Sequence, residues 1–293
     1  VTLRLPALTA AVALVAVLGG CAGAPSESDD TVSVVVSTDV YGSLVELVGG
    51  DAASVTSLIS GARDPHSFEA SARDQLAISR ADLVIANGGG YDPFVQQLLD
   101  GAHTDAPLIV ATDVPGIDAG SNEHLWYDLA AMELVAAAIA DALGDLDPTN
   151  AELFAANYAS LAASLMGLEA EADALRGTLD GRGVVVTEPV PLYLLERIGL
   201  RNRTPDAFTE AIEEGADVPP AALAETLALL SSDAVVMLAY NDQTSSPETE
   251  RVRNAAEAAG IPVVSFTETL PAGKDYVTWM TANLAAIGRA LLP

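Results

Sequence analysis

The chain has one cysteine, Cys21, in 293 residues. A lone cysteine excludes an internal disulfide and a cysteine-ligated structural metal centre. Histidine is almost as scarce, with only His66, His103 and His124, so a histidine-rich zinc site is excluded too. Basic residues number 13 against 41 acidic ones, for a formal net charge of −28. That balance repels nucleic acid and anionic lipid surfaces. Aromatic residues make up 5% of the chain, which leaves aliphatic side chains to build the core. The apolar stretch at residues 7–18 is too short to cross a bilayer comfortably. No His-Glu-x-x-His motif or nucleophile–base pair is evident, so the sequence reads as a non-enzyme.

What is present is half hydrophobic, enough for a folded chain of two modest α/β lobes. The apolar stretch ends in Leu18-Gly19-Gly20-Cys21. This looks like a lipobox, so residues 1–21 are expected to be a lipoprotein signal with Cys21 as the lipidated residue. Residues 22–31 are small, polar and acidic, as in a flexible tether. From residue 32 strands and helices alternate. Strands are expected at 32–37, 54–59, 82–86 and 107–111, with helices at 40–48, 73–79 and 93–99. A second series has strands at 184–187, 234–239 and 262–266, and helices at 192–198, 220–230, 248–259 and 276–292. Alternation of this kind marks parallel sheets covered by helices.

Between the two series Asp147-Pro148 offers a helix start, with Asp as N-cap and Pro at the first helical position. Phe154, Tyr158, Leu161, Leu165, Leu168, Ala172, Leu175 and Leu179 then recur in steps of four and three, one helix face held for about seven turns. The expected organisation is an N-terminal α/β lobe at 32–146, a long rigid linking helix at 147–180 and a C-terminal α/β lobe at 181–293. A coiled-coil dimer seam is the competing use of that face, but a βα series on each side of the helix favours a monomer.

Two of the histidines fall where ligands bind in open α/β sheets, in loops beyond strands. His66 sits in Asp64-Pro65-His66-Ser67-Phe68-Glu69, and His124 in Asn122-Glu123-His124-Leu125-Trp126. His103, in Gly101-Ala102-His103-Thr104, reads as an exposed loop residue.

These motifs carry a resemblance. Asp-Pro-His-Ser-Phe-Glu followed by Asp74, Ala81-Asp82-Leu83-Val84 and Asn87-Gly88, then Asn-Glu-His-Leu-Trp, and finally Asp275-Tyr276-Val277-Thr278-Trp279 resemble the cluster A-I metal-binding lipoproteins, the zinc and manganese importer family. The likeness runs through nearly the whole chain beyond the tether. It implies two βα lobes with a metal cleft between them, and His66 and His124 as ligands. Many members place a third His after a lobe-two strand and an Asp after the last strand. Here Glu188 and Glu268 occupy those places. Asn241 and Asp242 compete with Glu268 for the fourth position, or orient the ligands, as Asp64, Asn122 and Glu123 would.

Two imidazoles and two carboxylates suit Mn²⁺ better than an all-histidine site does, while still accepting Zn²⁺. The resemblance therefore implies an extracytoplasmic lipoprotein, anchored through Cys21 to the outer face of the cell membrane. It would hand one divalent metal ion, Mn²⁺ before Zn²⁺, to an ABC importer permease. A siderophore or vitamin binder is the alternative and predicts a larger, aromatic-lined cleft. A metalloenzyme would need an open coordination position.

Overall fold

The computed structural model describes residues 1–2, 31–61, 65–120 and 122–292, apart from the side chain of His66. Nearly all of the signal, Cys21 and nearly all of the tether lie outside them, as does Asp64. No helix among the described residues is long and apolar enough to cross a membrane.

The first sheet is built from β1 (Val32–Thr38), β2 (Ala53–Ile59), β3 (Leu83–Ala86) and β4 (Leu108–Val110), all parallel, in the order β2-β1-β3-β4. Its β-branched central strands are buried on both faces, as a helix-covered parallel sheet requires. The crossovers carry α1 (Asp39–Gly49), α2 (Ala72–Ile78) and α3 (Phe94–Ala102). The second sheet repeats the plan. It has β5 (Gly183–Val186), β6 (Arg201–Asn202), β7 (Leu238–Asn241) and β8 (Val263–Phe266) in the order β6-β5-β7-β8, again parallel. In both sheets the chain reverses direction beside the first strand, and the crevice at that reversal is the usual ligand position.

Between the sheets lie α4 (Leu129–Leu146) and α5 (Ala151–Leu179). The expected helix start at Asp147 needs correction. Asp147 closes α4, and its carboxylate accepts the Thr149 and Asn150 backbone N–H groups at 3.0 and 3.4 Å. It therefore makes the turn between two helices, and α5 begins four residues later. The apolar stripe of α5 is as the spacing predicts. Phe154, Leu161, Leu165, Leu168, Ala172, Leu175 and Leu179 are buried, and Tyr158 is half-buried. The stripe is spent inside the molecule, against α4, α1 and α10 (Tyr276–Leu291), and so is not available for a coiled-coil seam. One hydrophobic cluster runs from Val34 and Ile85 of the first sheet through this stripe to Val186 and Ala239 of the second.

The remaining helices are α6 (Leu192–Arg197), α7 (Asp206–Glu213), α8 (Pro220–Leu230) and α9 (Pro247–Ala258). The short pair β6 and α7 carries no sequence signal of its own. The strand expected at 234–239 pairs in register only from Leu238. Val236 N–H to Gly183 O at 2.9 Å nevertheless extends the ladder backwards.

Candidate functional site

The carboxyl edges of the two sheets face one another, and the loops beyond them hold the chemistry. His124 stands in the loop between β4 and α4. It is fully buried, and two contacts to Asn122 fix it. Its backbone N–H donates to Asn122 Oδ1 at 3.1 Å, and its ring Nδ1 lies 2.8 Å from the same atom. The Asn122 amide donates through Nδ2 to the Pro189 carbonyl at 3.1 Å. Because a backbone N–H can only donate, the Asn122 atom is the oxygen, and Nδ1 of the ring must carry a proton. In the neutral imidazole the lone pair is then on Nε2. That atom is buried without a hydrogen bond and faces two carboxylates, Glu213 Oε1 at 3.4 Å and Glu268 Oε2 at 3.8 Å.

The C-terminal half supplies the acids. Glu188 follows β5, Glu268 follows β8, and both are buried. Asn241, the last residue of β7, ties them together. Its Nδ2 donates to Glu188 Oε2 at 2.5 Å and to Glu268 Oε1 at 2.9 Å. Asn241 therefore organises the two carboxylates by donating to both. Its carbonyl oxygen is turned away and accepts from the Gln243 backbone N–H at 3.0 Å. Tyr91 donates to Glu268 Oε2 at 3.2 Å and packs against Trp126, with ring centroids 4.8 Å apart. Trp126 packs edge-on to His124 at 5.2 Å.

Crowded acids in a dry site resist ionisation. Burial, then the charges of Glu213 and Glu268, push the Glu188 carboxyl up to about 8. Burial pulls the His124 imidazolium down, but contact with Glu268 and the charges of Glu213 and Glu123 outweigh it. Its net shift is upward. Burial and the nearby Glu268 keep the Tyr91 phenol protonated well above its ordinary range.

The expected residues divide as follows. His124, Glu188, Glu268, Asn241 and Asn122 converge. Glu123 belongs to the same loop. Its carbonyl accepts from Asn87 Nδ2 at 2.9 Å, while Gly89 and Gly90 pass beside it. A Cβ on Gly88, at φ +82°, would lie 2.3 Å from Thr112 Oγ1, so only glycine fits this turn. Asp242 does not join the site. It is exposed and accepts from Ser265 Oγ at 3.0 Å, because β7 ends at Asn241 and the next side chain points away. His66 occupies the turn Pro65–Ser67 after β2; its side chain and Asp64 are outside what is described. His103 is exposed at the end of α3 in a left-handed conformation. Among the described residues no three His, Cys, Asp or Glu side chains already stand at metal-coordinating spacing. The groups are gathered, with Asn241 and Tyr91 holding Glu188 and Glu268 in place.

Sequence reasoning missed Glu213, Tyr91, Gln243 and Asn87. Asn87 alone carried a readable signal, since it directly follows β3 much as Asn241 closes β7. Its amide ties down the His124 loop as the Asn241 amide ties down the carboxylates.

A second set of contacts closes the edge of the site. The Asp39 carboxylate accepts from Leu270 N at 3.0 Å and from Gly61 N at 3.1 Å. Thr269 Oγ1 donates to Gly61 O at 2.6 Å. Gln243 Oε1 accepts from Glu268 N at 2.5 Å, and its amide donates to Thr269 Oγ1 at 2.9 Å. These bonds join the chain just beyond β2 to the segment bearing Glu268. Outside them lies a hollow of about 570 Å³ lined in part by Asp39, Gln243, Thr269 and Lys274.

Two parallel sheets with facing carboxyl edges, bridged by helices and closing around buried imidazole and carboxylate groups, define a two-lobed α/β solute-binding protein. Residues 34–290 match the family described as zinc-uptake complex component A, periplasmic, and the chain belongs to that family. It is 28% identical over 183 residues to the manganese-binding lipoprotein MntA of Halalkalibacterium halodurans, covering 59% of this chain and 60% of that relative's length. It is 24% identical over 295 residues to the iron ABC transporter substrate-binding lipoprotein MtsA of Streptococcus pyogenes, covering 92% of each. In structure it resembles the periplasmic zinc-binding protein TroA of Treponema pallidum, with a TM-score of 0.76, 18% identity and coverage of 90% and 100%. The manganese complex of FpvC from Pseudomonas aeruginosa superimposes with a TM-score of 0.74 at 25% identity, covering 89% and 98%.

Proposed function

We propose that this protein captures a divalent transition metal ion outside the cytoplasm, manganese in preference to zinc, and delivers it to the permease of an ABC importer. In this reading His66, His124, Glu188 and Glu268 are the ligands. Asn122, Asn241 and Glu123 hold them, and Cys21 carries the lipid anchor. The organisation is an N-terminal lobe, the linking helices and a C-terminal lobe, acting as a monomer. The relatives' names point the same way.

One observation carries the reading. The Nε2 atom of His124 is buried, makes no hydrogen bond and faces carboxylates. A lone pair opposite anions is a repulsive arrangement that a proton or a metal cation relieves. A divalent cation relieves it further, by satisfying Glu188 Oε1, which is also buried without a hydrogen bond. Capture then exchanges protons for metal at His124 and Glu188, releasing about one to two protons at neutral pH and failing in acid.

The test is elemental analysis of protein purified without chelator, followed by calorimetric titration with Mn²⁺ and Zn²⁺ in competition. His124→Ala and Glu188→Ala are each expected to weaken binding at least about tenfold. Wild-type protein that binds neither metal, or two variants that bind as wild type does, would remove the assignment.

A further inference from the structure

Glu213 is the last residue of α7, where a carboxylate meets the negative end of the helix dipole and costs stability. It is also 17% exposed in its side chain, close to other acids. Neither solubility nor helix formation explains a carboxylate there. Its Oε1 is 3.4 Å from His124 Nε2, nearer than the 3.8 Å of Glu268 Oε2. An acidic cluster alone would mean little. Here a fully buried imidazole nitrogen, without a hydrogen bond of its own, is aimed at the group.

Topology gives the same answer. The two sheets share one strand order, so β1 to β4 correspond to β5 to β8. His124 follows β4 and Glu268 follows β8. His66 follows β2, and the crossover after β6 carries α7, whose last residue is Glu213. Each sheet thus brings a residue able to ligate from the connections after its second and fourth strands, and Glu188 adds a further one after β5.

We infer that Glu213 is a fifth ligand of the captured ion, making a site of two imidazoles and three carboxylates that selects a harder, higher-coordinate cation such as Mn²⁺ over Zn²⁺. The inference rests on the metal-capture reading above. Zinc is satisfied by four ligands in a tetrahedron, so a fifth carboxylate adds little to its affinity. Manganese takes oxygen ligands in larger number and gains from it.

The experiment compares wild type, Glu213→Gln, Glu213→Asp and, as a control on the exposed side of the same helix, Glu210→Gln. Each is titrated calorimetrically with MnCl₂ and with ZnCl₂ alone, and the Mn-loaded forms are examined by X-ray absorption. Glu213→Gln is expected to lose about tenfold in Mn²⁺ affinity and less than about threefold in Zn²⁺ affinity, with one oxygen fewer around manganese. Glu213→Asp, which keeps the charge but shortens the reach, is expected to lose Mn²⁺ affinity as well. It also serves as the second variant if the glutamine form does not fold. Glu210→Gln should bind as wild type does. Unchanged Mn²⁺ binding in Glu213→Gln overturns the inference, and so does an equal loss for both metals. Full Mn²⁺ affinity in Glu213→Asp, with loss in Glu213→Gln, would mean a field effect without ligation and overturns it too. Wild-type protein that binds neither metal overturns the underlying reading instead.

Discussion

At the level of single residues, the site is an electrostatic conflict held in place by amides. Asn122 fixes the ring of His124, and Asn241 pins Glu188 and Glu268 side by side. The sign of the resulting pH dependence follows from Glu188, whose carboxyl is raised from 4.5 to about 8 in the fold. The unfolded chain ionises this group first, so the metal-free protein loses stability as pH rises from about 4.5 towards 8. His124, also raised, acts in the same sense. Its contribution is complete below the unfolded value and lost as pH climbs through the folded one. Thermal melts of metal-free protein should therefore show a higher midpoint at pH 5.5 than at pH 8, and added Mn²⁺ should raise the midpoint most at pH 8. Glu188→Gln removes the ionisation. Its metal-free form should be more stable than wild type at pH 8 and should gain nothing from Mn²⁺; a midpoint that still falls with pH as wild type's does would contradict this. Of these residues His124 drew notice by its loop motif, and Glu188 only through the family resemblance. Glu213 drew none. It lies in Glu213-Glu214-Gly215, which reads as a solvated acidic run, and only the placement of α7 turns it inward.

At the level of elements, the bonds around Gly61 couple the end of β2 to the segment after β8. Thr269→Val removes the hydroxyl that donates to the Gly61 carbonyl while keeping the side-chain volume. The expected cost is about 1–2 kcal/mol of stability. Metal release should be several-fold faster in stopped-flow chelation with little change in the rate of capture, and identical release rates would show that the seam does not restrain the His66 turn. Most elements were legible because β-branched runs and a stripe in steps of four and three have a definite period, as β1 and α5 show. α4 could be given no bounds from the sequence because its alanine-rich stretch, residues 129–146, is apolar on most faces and offers no contrast. Asp147-Pro148 misled for a related reason. The same Asp carboxylate that caps a helix also makes a turn, and the sequence does not say which backbone N–H groups will be in reach.

For the molecule as a whole, a net charge of −28 surrounds a site that takes a cation. Such a field speeds the approach of Mn²⁺ and is screened by salt. The association rate is expected to fall several-fold between about 20 and 500 mM NaCl, while the dissociation rate hardly moves; an association rate independent of salt would show that the charge plays no part in capture. The last helix bears on a different matter, the order in which the chain can fold. Tyr276 N–H donates to Ser43 Oγ across 233 residues of sequence, and Tyr276 Oη donates to the Trp126 carbonyl, two residues from His124. The N-terminal lobe is therefore finished by residues from the far end of the chain. Contacts of such separation close late and slowly, so the first half of the protein emerges without its own lid. The loop of His124 reaches its final form only after α10 has docked, and metal affinity becomes a report that the whole chain has folded.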